Sequence, residues 1–439
     1  FSSVDDNDFN IGLDVSIPLE LETMDIQLKA GIDYRDNNRD AEVRSFRFSP
    51  AGGPLPEEAL SQRVDYIFAD QNFDPNRLLV IENTASSSPA GYEGILETSA
   101  AYVSMDALLS EQVRLSAGLR QEHGKQEINT YDLFLGKDSV IEKTLDEDYA
   151  LPAFTLTYLP DGSENLQIRL GVSKTIARPT FRELSPTLFI DPDTDRVVAG
   201  SLFLENSEID NLDLRAEYYF DLNQFLTLGV FYKEIDKPIE ETVNEIGDLI
   251  VTTYQNVPKA ELSGFEFEYE RIFDGLESTW ASTKEFMAKV NYTFTDSEVI
   301  VASGDTYLNS NGVVTDAASL LANGRDPRLQ GQAKNIFNLQ FGYDDYSVNS
   351  QATVIVNYVD DRVRARGLDV LPDIIEQIPL TIDFVYSREM ELDSSMLKIS
   401  LEVRNLLNEE YEATMANSNI FYDQYELGTS ISLGFKLNF

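Results

Sequence analysis

The chain has no cysteine and only one histidine in 439 residues. Without thiols, neither disulfides nor thiolate metal sites can form. Any catalysis by a histidine base would depend on His123, which we expect on a strand beside Arg120 and Glu122. That setting favours a surface side chain over a catalytic one. With no nucleophile elbow and no phosphate-binding glycine loop either, we expect a protein that is not an enzyme.

Basic residues and long apolar runs are also scarce. The 34 Lys and Arg residues are outnumbered by 76 Asp and Glu, which gives a formal charge of -42. A surface that binds nucleic acid is basic, so nucleic acid is excluded as a partner. No apolar run reaches the ~18 residues that a membrane helix needs. A helical membrane protein is therefore excluded as well.

Alternation of apolar and polar residues is what the sequence does contain. The last stretch, SISLGFKLNF (430–439), places Ile431, Leu433, Phe435 and Leu437 on one face of a strand. About fifteen segments with this period predict strands. They lie near 9–18, 24–35, 92–107, 112–130, 148–160, 164–176, 209–220, 224–236, 250–272, 283–297, 332–344, 347–361, 376–390, 395–405 and 420–439.

Strand length and connection length together point to a membrane. Strands of roughly 10–17 residues exceed those of globular sheets and match tilted strands that cross a bilayer. Short connections alternate with long ones near 36–91, 131–147, 177–208, 237–249, 298–331, 362–375 and 406–419. Tyr and Phe recur at strand ends, as in aromatic girdles. These features favour an all-β, transmembrane, antiparallel up-and-down β-barrel over a soluble β-sandwich.

An odd number of strands does not fit a closed bacterial barrel, which normally has an even number. An open sheet of fifteen would leave two edges in hydrocarbon, and each unpaired backbone group there costs several kcal/mol. Either the count is wrong by one, or residues 1–439 are the C-terminal portion of one larger barrel domain. The start at Phe1, without an initiator Met, agrees with the second interpretation.

Several motifs, in order, resemble the barrel of TonB-dependent outer-membrane transporters. They are YALPAFTLTYLPDGSENLQIRLGVSKTIARPTFRELSP (149–186), LDLRAEYYF (212–220), GVFYKEIDKPIEE (229–241), NVPKAELSGFEFEYE (256–270) and VRNLLNEEY (403–411). The resemblance covers about 92–439. It departs from the family pattern at GSLFL (200–204), where the family often has G-N-P-x-L. It implies strands 8–22 of a 22-stranded barrel, with the first strands and the plug domain outside this sequence.

The resemblance also implies a function, a location and partners. We expect TonB-dependent active uptake of a scarce nutrient, whether siderophore, vitamin, glycan or peptide, across the outer membrane of a Gram-negative bacterium. The alternatives are a passive porin, or a structural or secretion-associated barrel bound to partner proteins. Expected partners are the TonB complex through the missing plug, outer-membrane lipid and lipopolysaccharide, and a surface lipoprotein or other envelope protein.

Ligand contacts are expected in the outer connections 36–91, 177–208, 237–258 and 298–331, because loops on a rigid scaffold carry recognition. The substrate-binding candidates are Arg178, Phe189, Tyr254 and Asn256. Arg178 also has a structural interpretation: Pro179 ends strand pairing, and the guanidinium can bind carboxylates of the lumen or loops.

Charged residues on the lumen face form a second set of candidates, namely Arg169, Arg215, Glu217, Glu266, Glu268 and Glu270. The three glutamates alternate with aromatic residues, which places them on one face. Such a ladder can guide cations or bind plug arginines. Pairing with Lys233 and Lys289 on neighbouring strands is favoured, because adjacent like charges repel.

The segment DPDTDR (191–196) carries the carboxylates Asp191, Asp193 and Asp195 at alternate positions. It lacks the glycine and the terminal glutamate of an EF-hand, since Arg196 and Leu202 stand at those positions. We expect no cofactor apart from a possible structural calcium ion in this outer loop. A solvated acidic loop is the alternative.

Overall fold

The computed structural model describes residues 1–21, 24–51, 57, 61–73, 75, 77–82, 84, 89–134, 136–163, 165–191, 196–246, 249–274, 281–393 and 395–438. Its strands are β1 (Ser2–Leu21), β2 (Met24–Val43), β3 (Phe46–Pro50), β4 (Leu78–Glu82), β5 (Gly91–Ser110), β6 (Val113–Asp132), β7 (Gly136–Tyr158), β8 (Leu166–Ala177), β9 (Phe189–Ile190), β10 (Val197–Val198), β11 (Ser207–Asp221), β12 (Gln224–Asp236), β13 (Ile239–Ile246), β14 (Leu249–Asn256), β15 (Lys259–Asp274), β16 (Lys284–Ile300), β17 (Thr306–Leu308), β18 (Val314–Asp316), β19 (Asn335–Asp345), β20 (Ser350–Val359), β21 (Arg362–Gly367), β22 (Ile374–Gln377), β23 (Thr381–Leu392), β24 (Ser395–Arg404), β25 (Glu410–Met415), β26 (Phe421–Glu426) and β27 (Ser430–Asn438).

Among the described residues, short helical turns run over Val64–Ile67, Asp70–Asn72, Phe181–Leu184 and Ala317–Gly324. Across the described part of the chain, no helix is both long enough and apolar enough to span a membrane.

Fifteen strands form one antiparallel sheet, called the wall here. Its order is β1-β2-β5-β6-β7-β8-β11-β12-β15-β16-β19-β20-β23-β24-β27, so each wall strand pairs with the wall strands before and after it in the chain. This is the up-and-down arrangement that the alternating pattern predicts, with the predicted number of strands. Within the described residues, β1 and β27 each have one neighbour in the sheet.

The two faces of the wall differ in chemistry. Leu214, Val230 and Phe265 lie in one cross-strand row, and all three are exposed apolar side chains. The adjacent row on the opposite face holds Arg215 and Glu266. Side chains alternate strictly between faces, so register alone separates them. We call the apolar side the outer face and the polar side the inner face.

Three of the predicted strands are wrong, because each is two strands that belong to different sheets. The segment 250–272 divides into β14 and β15 around Val257 and Pro258, and proline has no N–H to continue a ladder. The segment 376–390 divides in the same way around Pro379. The segment 420–439 divides at Gly428, whose φ of 74° turns the backbone into the left-handed region.

The long connections are also more regular than predicted. Strands within them form an eight-stranded sheet, β26-β25-β22-β21-β13-β14-β10-β9, which we call the cap sheet. The expected loop 131–147 is instead the end of a long hairpin, because β6 and β7 remain paired to Asp132 and Gly136. The strands therefore continue well past the apolar band of the wall.

A buried ion pair joins the cap sheet to a neighbouring loop. Arg366 on β21 binds Glu240 on β13, with Nη2 2.9 Å from Oε1, and the side chains are 0% and 1% exposed. The same guanidinium donates to the carbonyl oxygens of Asp326 at 2.9 Å and Arg328 at 3.1 Å. Four hydrogen bonds thus satisfy a charge that would otherwise be very costly to bury.

The contrast between the two wall faces generates a first prediction. Leu214→Arg puts a charge on the outer face and should destabilise the protein in lipid vesicles by about 2–4 kcal/mol. Asp213→Arg, the matched control, puts the same side chain on the exposed inner face of the same strand and should cost less than about 1 kcal/mol. Denaturant unfolding in vesicles measures both. Equal effects of the two changes would mean that the faces are assigned wrongly.

The buried ion pair generates a second prediction. Arg366→Met leaves the carboxylate of Glu240 buried without a partner and should lower the opening free energy of β13 and β21 by about 3–5 kcal/mol. The double variant Arg366→Met/Glu240→Leu should recover most of that loss, because it removes both charges. Hydrogen exchange of the β13 and β21 amides is the measurement. If the double variant is as unstable as the single one, the ion pair is not the cause.

Candidate functional site

Residues 178–191 and 196–206, together called the inner segment, lie against the inner face of the wall. Gln126 donates from its amide nitrogen to the carbonyl of Pro179 at 2.7 Å. Phe181, Leu184 and Leu204 are buried in one apolar cluster. Their wall partners in that cluster are Ala41, Tyr92, Ile128 and Leu145. The segment begins with a capping box in which Thr180 and Glu183 bind each other's backbone N–H groups.

Two glycines of the wall make room for this segment. A Cβ on Gly94 would lie 2.5 Å from the ring of Phe181, and a Cβ on Gly124 would overlap the guanidinium of Arg178. Real Cβ contacts are not that short, so the absence of side chains at both positions allows the segment to approach the wall. The inner segment therefore packs closely against the wall at two positions where the wall residue is glycine.

Arg178 occupies a structural position at the start of the inner segment. Its Nη2 lies 2.8 Å from Oε1 of Glu122, and the side chain is only 17% exposed. The guanidinium also lies over the ring of Tyr149, 5.8 Å from the ring centre. These contacts agree with the interpretation that Arg178 binds a carboxylate of the lumen, while its contact with substrate stays a prediction.

Next to its contacts with the wall, the inner segment encloses a cavity of about 210 Å³ together with the cap sheet. Its walls carry three arginines together with carboxylates, phenols and a phenyl ring. We call it the arginine cavity. Its lining residues are Arg182, Phe189, Asp191, Arg196, Val198, Glu241, Thr252, Tyr254, Arg364 and Tyr422.

Strand register places one side of this cavity. Glu241 on β13 pairs directly with Tyr254 on β14, so the two side chains are neighbours on one face. Thr252 lies two residues before Tyr254 and therefore on the same face. Val198 pairs with Thr252 on one side and with Phe189 on the other. This row therefore lies on the same face as the Tyr254–Glu241 pair, two residues before it along β14.

A bulge in the cap sheet contributes Arg364. The register of β21 against β22 shifts between Val363 and Ala365, so the intervening residue is extra in the ladder. Arg364 donates from Nη1 to the hydroxyl of Tyr411 at 3.2 Å and lies 3.4 Å from Oδ2 of Asp423. The bulge turns this guanidinium toward Glu241, away from the face that holds Arg366.

Aromatic rings hold the arginines of the cavity. The ring of Tyr422 lies 4.2 Å from the guanidinium carbon of Arg196 and 5.5 Å from that of Arg364. Arg196 also donates to the carbonyl of Tyr422 at 2.5 Å. Arg182 packs its guanidinium against the ring of Phe189. Rings that stack on guanidinium planes leave the N–H edges directed to a ligand.

Burial sets the protonation of the groups between these arginines. It raises the pKa of Glu241 to about 7; nearby Arg364 opposes the change, whereas Asp191, Glu376 and Glu183 reinforce it. Burial also raises the pKa of Tyr254 to about 12, so its phenol is neutral. Burial lowers the pKa of Arg182. The lining thus sets three guanidinium groups against the carboxyl groups of Asp191 and Glu241, and Arg364 also contacts Asp423.

Among the four substrate-binding candidates, the structure brings Phe189 and Tyr254 together in the arginine cavity. Asn256 lies outside it, and backbone groups occupy its amide. Its Oδ1 accepts from the N–H of Glu205 at 2.9 Å, and its Nδ2 donates to the carbonyls of Glu205 and Lys237 at 3.1 and 2.7 Å. Those bonds give Asn256 a structural role, and its contact with substrate stays a prediction.

The charged lumen candidates form a network on the inner face. Arg215 lies 2.8 Å from Glu217 and 3.2 Å from Glu268, and Arg169 lies 3.7 Å from Glu217. Glu266 lines a separate cavity of about 370 Å³ beside Arg215.

Lysine partners of the glutamate ladder are present only in part. Lys289 pairs with Glu270 at 2.9 Å, as the sequence predicts. Lys233 instead donates to Oδ1 of Asn211 at 2.9 Å, because its ladder partner on β15 is Leu262. Glu268 is instead paired with Arg215, which the sequence pattern did not single out as its partner.

The structure describes only part of the predicted calcium site. Asp191 lines the arginine cavity, whereas Asp193 and Asp195 lie outside the described residues. Over the residues that the structure does describe, no group of three or more His, Cys, Asp or Glu side chains is arranged to hold a metal ion. Calcium at residues 191–195 stays a prediction.

The cavity residues that the sequence analysis did not name as ligand candidates include Arg196, Glu241, Arg364 and Tyr422. Arg364 had a usable signal. It lies in RVRARG (362–367), where three arginines alternate in a chain that has few basic residues. The other three have no local pattern that separates them from ordinary loop residues.

Comparison with known proteins identifies the family. The family model described as "TonB dependent receptor-like, beta-barrel" matches residues 2–374. No curated protein matches the sequence. Solved structures do match over nearly the whole chain, at identities low enough that the likeness shows the fold alone.

Three of these structures are iron-uptake proteins. The siderophore receptor PiuA from Acinetobacter baumannii matches with a TM-score of 0.64 and 14% identity, over 100% of this chain and 56% of that one. The ferric citrate transporter FecA matches with a TM-score of 0.61 and 11% identity, over 99% of this chain and 55% of that one. The ferric-catecholate import receptor Fiu from E. coli K12 matches with a TM-score of 0.59 and 12% identity, over 100% of this chain and 55% of that one.

This chain thus spans about half the length of the structures that it matches. The neighbours are receptors and transporters and not enzymes, in agreement with the expectation from the sequence. The match to the family model covers most of the 439 residues. The chain therefore belongs to the TonB dependent receptor-like β-barrel family, whose members lie in the bacterial outer membrane.

Proposed function

We propose that this protein takes up an anionic metal chelate across the outer membrane, with energy supplied through TonB. The observation that carries the proposal is the arginine cavity, where Arg182, Arg196 and Arg364 converge in a chain of net charge -42. Guanidinium groups bind carboxylate and other oxyanions in paired hydrogen bonds. An anionic chelate is the class of ligand that such a site fits best.

The comparisons support this class. PiuA is a siderophore receptor, FecA transports ferric citrate and Fiu imports ferric catecholates. Each of these ligands carries iron in an oxygen-rich complex. Among the nutrients that the sequence left open, the arginine cavity favours a ferric siderophore over a neutral glycan, which has no charge for three arginines to bind.

The remaining architecture follows the family resemblance. In this proposal the wall is strands 8–22 of a 22-stranded barrel, and a plug in its lumen connects the ligand to TonB. The ligand contacts the arginine cavity at the end of the wall where the long connections lie. The proposal also includes contacts with lipopolysaccharide and a surface lipoprotein, and a calcium ion at residues 191–195.

Removal of one arginine tests the site. In the full-length protein, Arg364→Gln should weaken equilibrium binding of ferric citrate, used as the probe, by about tenfold to a hundredfold, because one charge-assisted contact is lost. Arg388→Gln is the matched control, since Arg388 is exposed and lies at the opposite end of the wall. Unchanged binding in Arg364→Gln would remove the cavity from consideration as the ligand site.

Transport in cells tests the coupling to TonB. Cells that express the full-length protein should accumulate radioactive iron from ferric citrate, and deletion of TonB should abolish the uptake. Uptake that persists without TonB would favour the passive porin.

Glu241 gives the site a pH dependence. Below its pKa of about 7 the carboxyl is neutral, and above that value it adds a negative charge among the arginines. Affinity for ferric citrate should therefore fall by about threefold to tenfold as the pH rises through 7. Glu241→Gln should flatten this profile, while Glu245→Gln, an exposed carboxylate on the same strand, should not. Identical profiles in the wild type and Glu241→Gln would contradict the assignment.

A further inference from the structure

The arginine cavity is small for a whole ligand. Its volume of about 210 Å³ lies below the range of about 300–1,000 Å³ that is usual for ligand pockets. A chelate surrounds its metal ion with several donor groups and needs more room than a single group does. The cavity therefore admits one arm of a chelate, while the metal ion stays outside it.

The guanidinium groups of the cavity keep most of their hydrogen-bond donors for a ligand. Each guanidinium carries five N–H donors. Arg364 uses only Nη1 and Arg196 only Nη2 in bonds to residues of the cap sheet. Among the described residues, Arg182 donates no hydrogen bond and forms no ion pair. Its donors are therefore free for an acceptor on the ligand.

The aromatic rings of the cavity are already in contact with guanidinium groups. The guanidinium carbons of Arg196 and Arg364 lie 4.2 and 5.5 Å from the ring centre of Tyr422, which is only 6% exposed. Arg182 lies over the ring of Phe189 in the same way. Rings that hold guanidinium groups leave little face on which a planar aryl ligand can stack. The cavity thus fits a hydrogen-bond acceptor better than an aromatic group.

The oxygen atoms of a chelate differ in what they offer to a guanidinium. An oxygen that coordinates the metal shares its lone pairs and its charge with the ion. A carboxylate that does not coordinate the metal keeps both oxygens as acceptors, and a guanidinium binds it through two parallel hydrogen bonds. Arg182 has the free donors that such a paired contact needs.

We propose that the arginine cavity recognises a free carboxylate arm of the chelate, which is a carboxylate that does not coordinate the metal. This inference rests on the proposed function, because the arm belongs to the chelate that the protein takes up. It narrows the substrate class to chelates with an uncoordinated carboxylate on their surface. Chelates whose outer surface consists of aryl rings bind more weakly. Arg182 is the residue that determines this specificity.

The test uses the full-length protein purified from outer membranes and a metal-free probe, tricarballylate. Tricarballylate has the carboxylates of citrate but lacks its hydroxyl group, and its triamide is a neutral match of similar shape. Isothermal titration should show that tricarballylate binds the wild type and displaces ferric citrate. The triamide and catechol should do neither, because they offer no carboxylate to the guanidinium groups.

Variants of Arg182 connect the effect to the cavity. Arg182→Gln should weaken the binding of tricarballylate by about tenfold to a hundredfold, because charge-assisted hydrogen bonds are lost. Arg182→Lys keeps the charge without the paired donors, so it should recover only part of this loss. Arg388→Gln is the matched control, since Arg388 is exposed at the opposite end of the wall, and it should bind tricarballylate as the wild type does.

The outcomes separate this inference from the function on which it rests. If ferric citrate binds and tricarballylate does not compete with it, the inference is overturned and the chelate function stands. Equal binding of tricarballylate and its triamide, or unchanged binding of tricarballylate in Arg182→Gln, also overturns the inference. If ferric citrate fails to bind the wild type, the proposed function is overturned, whatever tricarballylate does.

Discussion

Backbone hydrogen bonding in hydrocarbon is the constraint on which this structure depends. Water is absent from the membrane core, so every N–H and C=O of a crossing strand needs a partner on the next strand. Each wall strand between β1 and β27 meets that demand by pairing with the wall strands before and after it. The ladders fix register, and register decides which residues share a face. Lipid-facing apolar rows and the inner polar rows follow from this one requirement.

The fixed wall in turn supports a site that lies beyond the membrane. Gly94 and Gly124 leave space for the inner segment, which is thereby held against the wall. The buried Arg366–Glu240 pair joins two strands of the cap sheet, while a bulge two residues earlier turns Arg364 to the opposite face. Two neighbouring arginines on one strand therefore serve different ends, one structural and one directed to the cavity. The wall and the cap sheet therefore fix the position of the arginines in the cavity. The acidic composition of the chain does not.

Much of the wall could be predicted from sequence, because period two survives in every crossing strand. The predictions failed where a short breaker interrupts an otherwise continuous pattern, as at Pro258, Pro379 and Gly428, since apolar alternation continues across the break. Partners across the cap sheet were beyond reach, because Glu241 and Arg364 are distant in sequence and meet only through tertiary pairing. Phe189 and Tyr254 were named as candidates from their place in outer loops and line the cavity. Of the three arginines around them, Arg364 alone lies in a distinctive local pattern, RVRARG.

The central claim is that the arginine cavity binds the ligand of this outer-membrane receptor. A crystal structure of the full-length protein with a bound ferric chelate tests it most directly. The account predicts the oxygen atoms of the chelate within hydrogen-bonding distance of Arg182, Arg196 and Arg364, with the ring of Tyr254 beside them. A chelate bound at another place in the lumen, with the guanidinium groups of the cavity untouched, would contradict it.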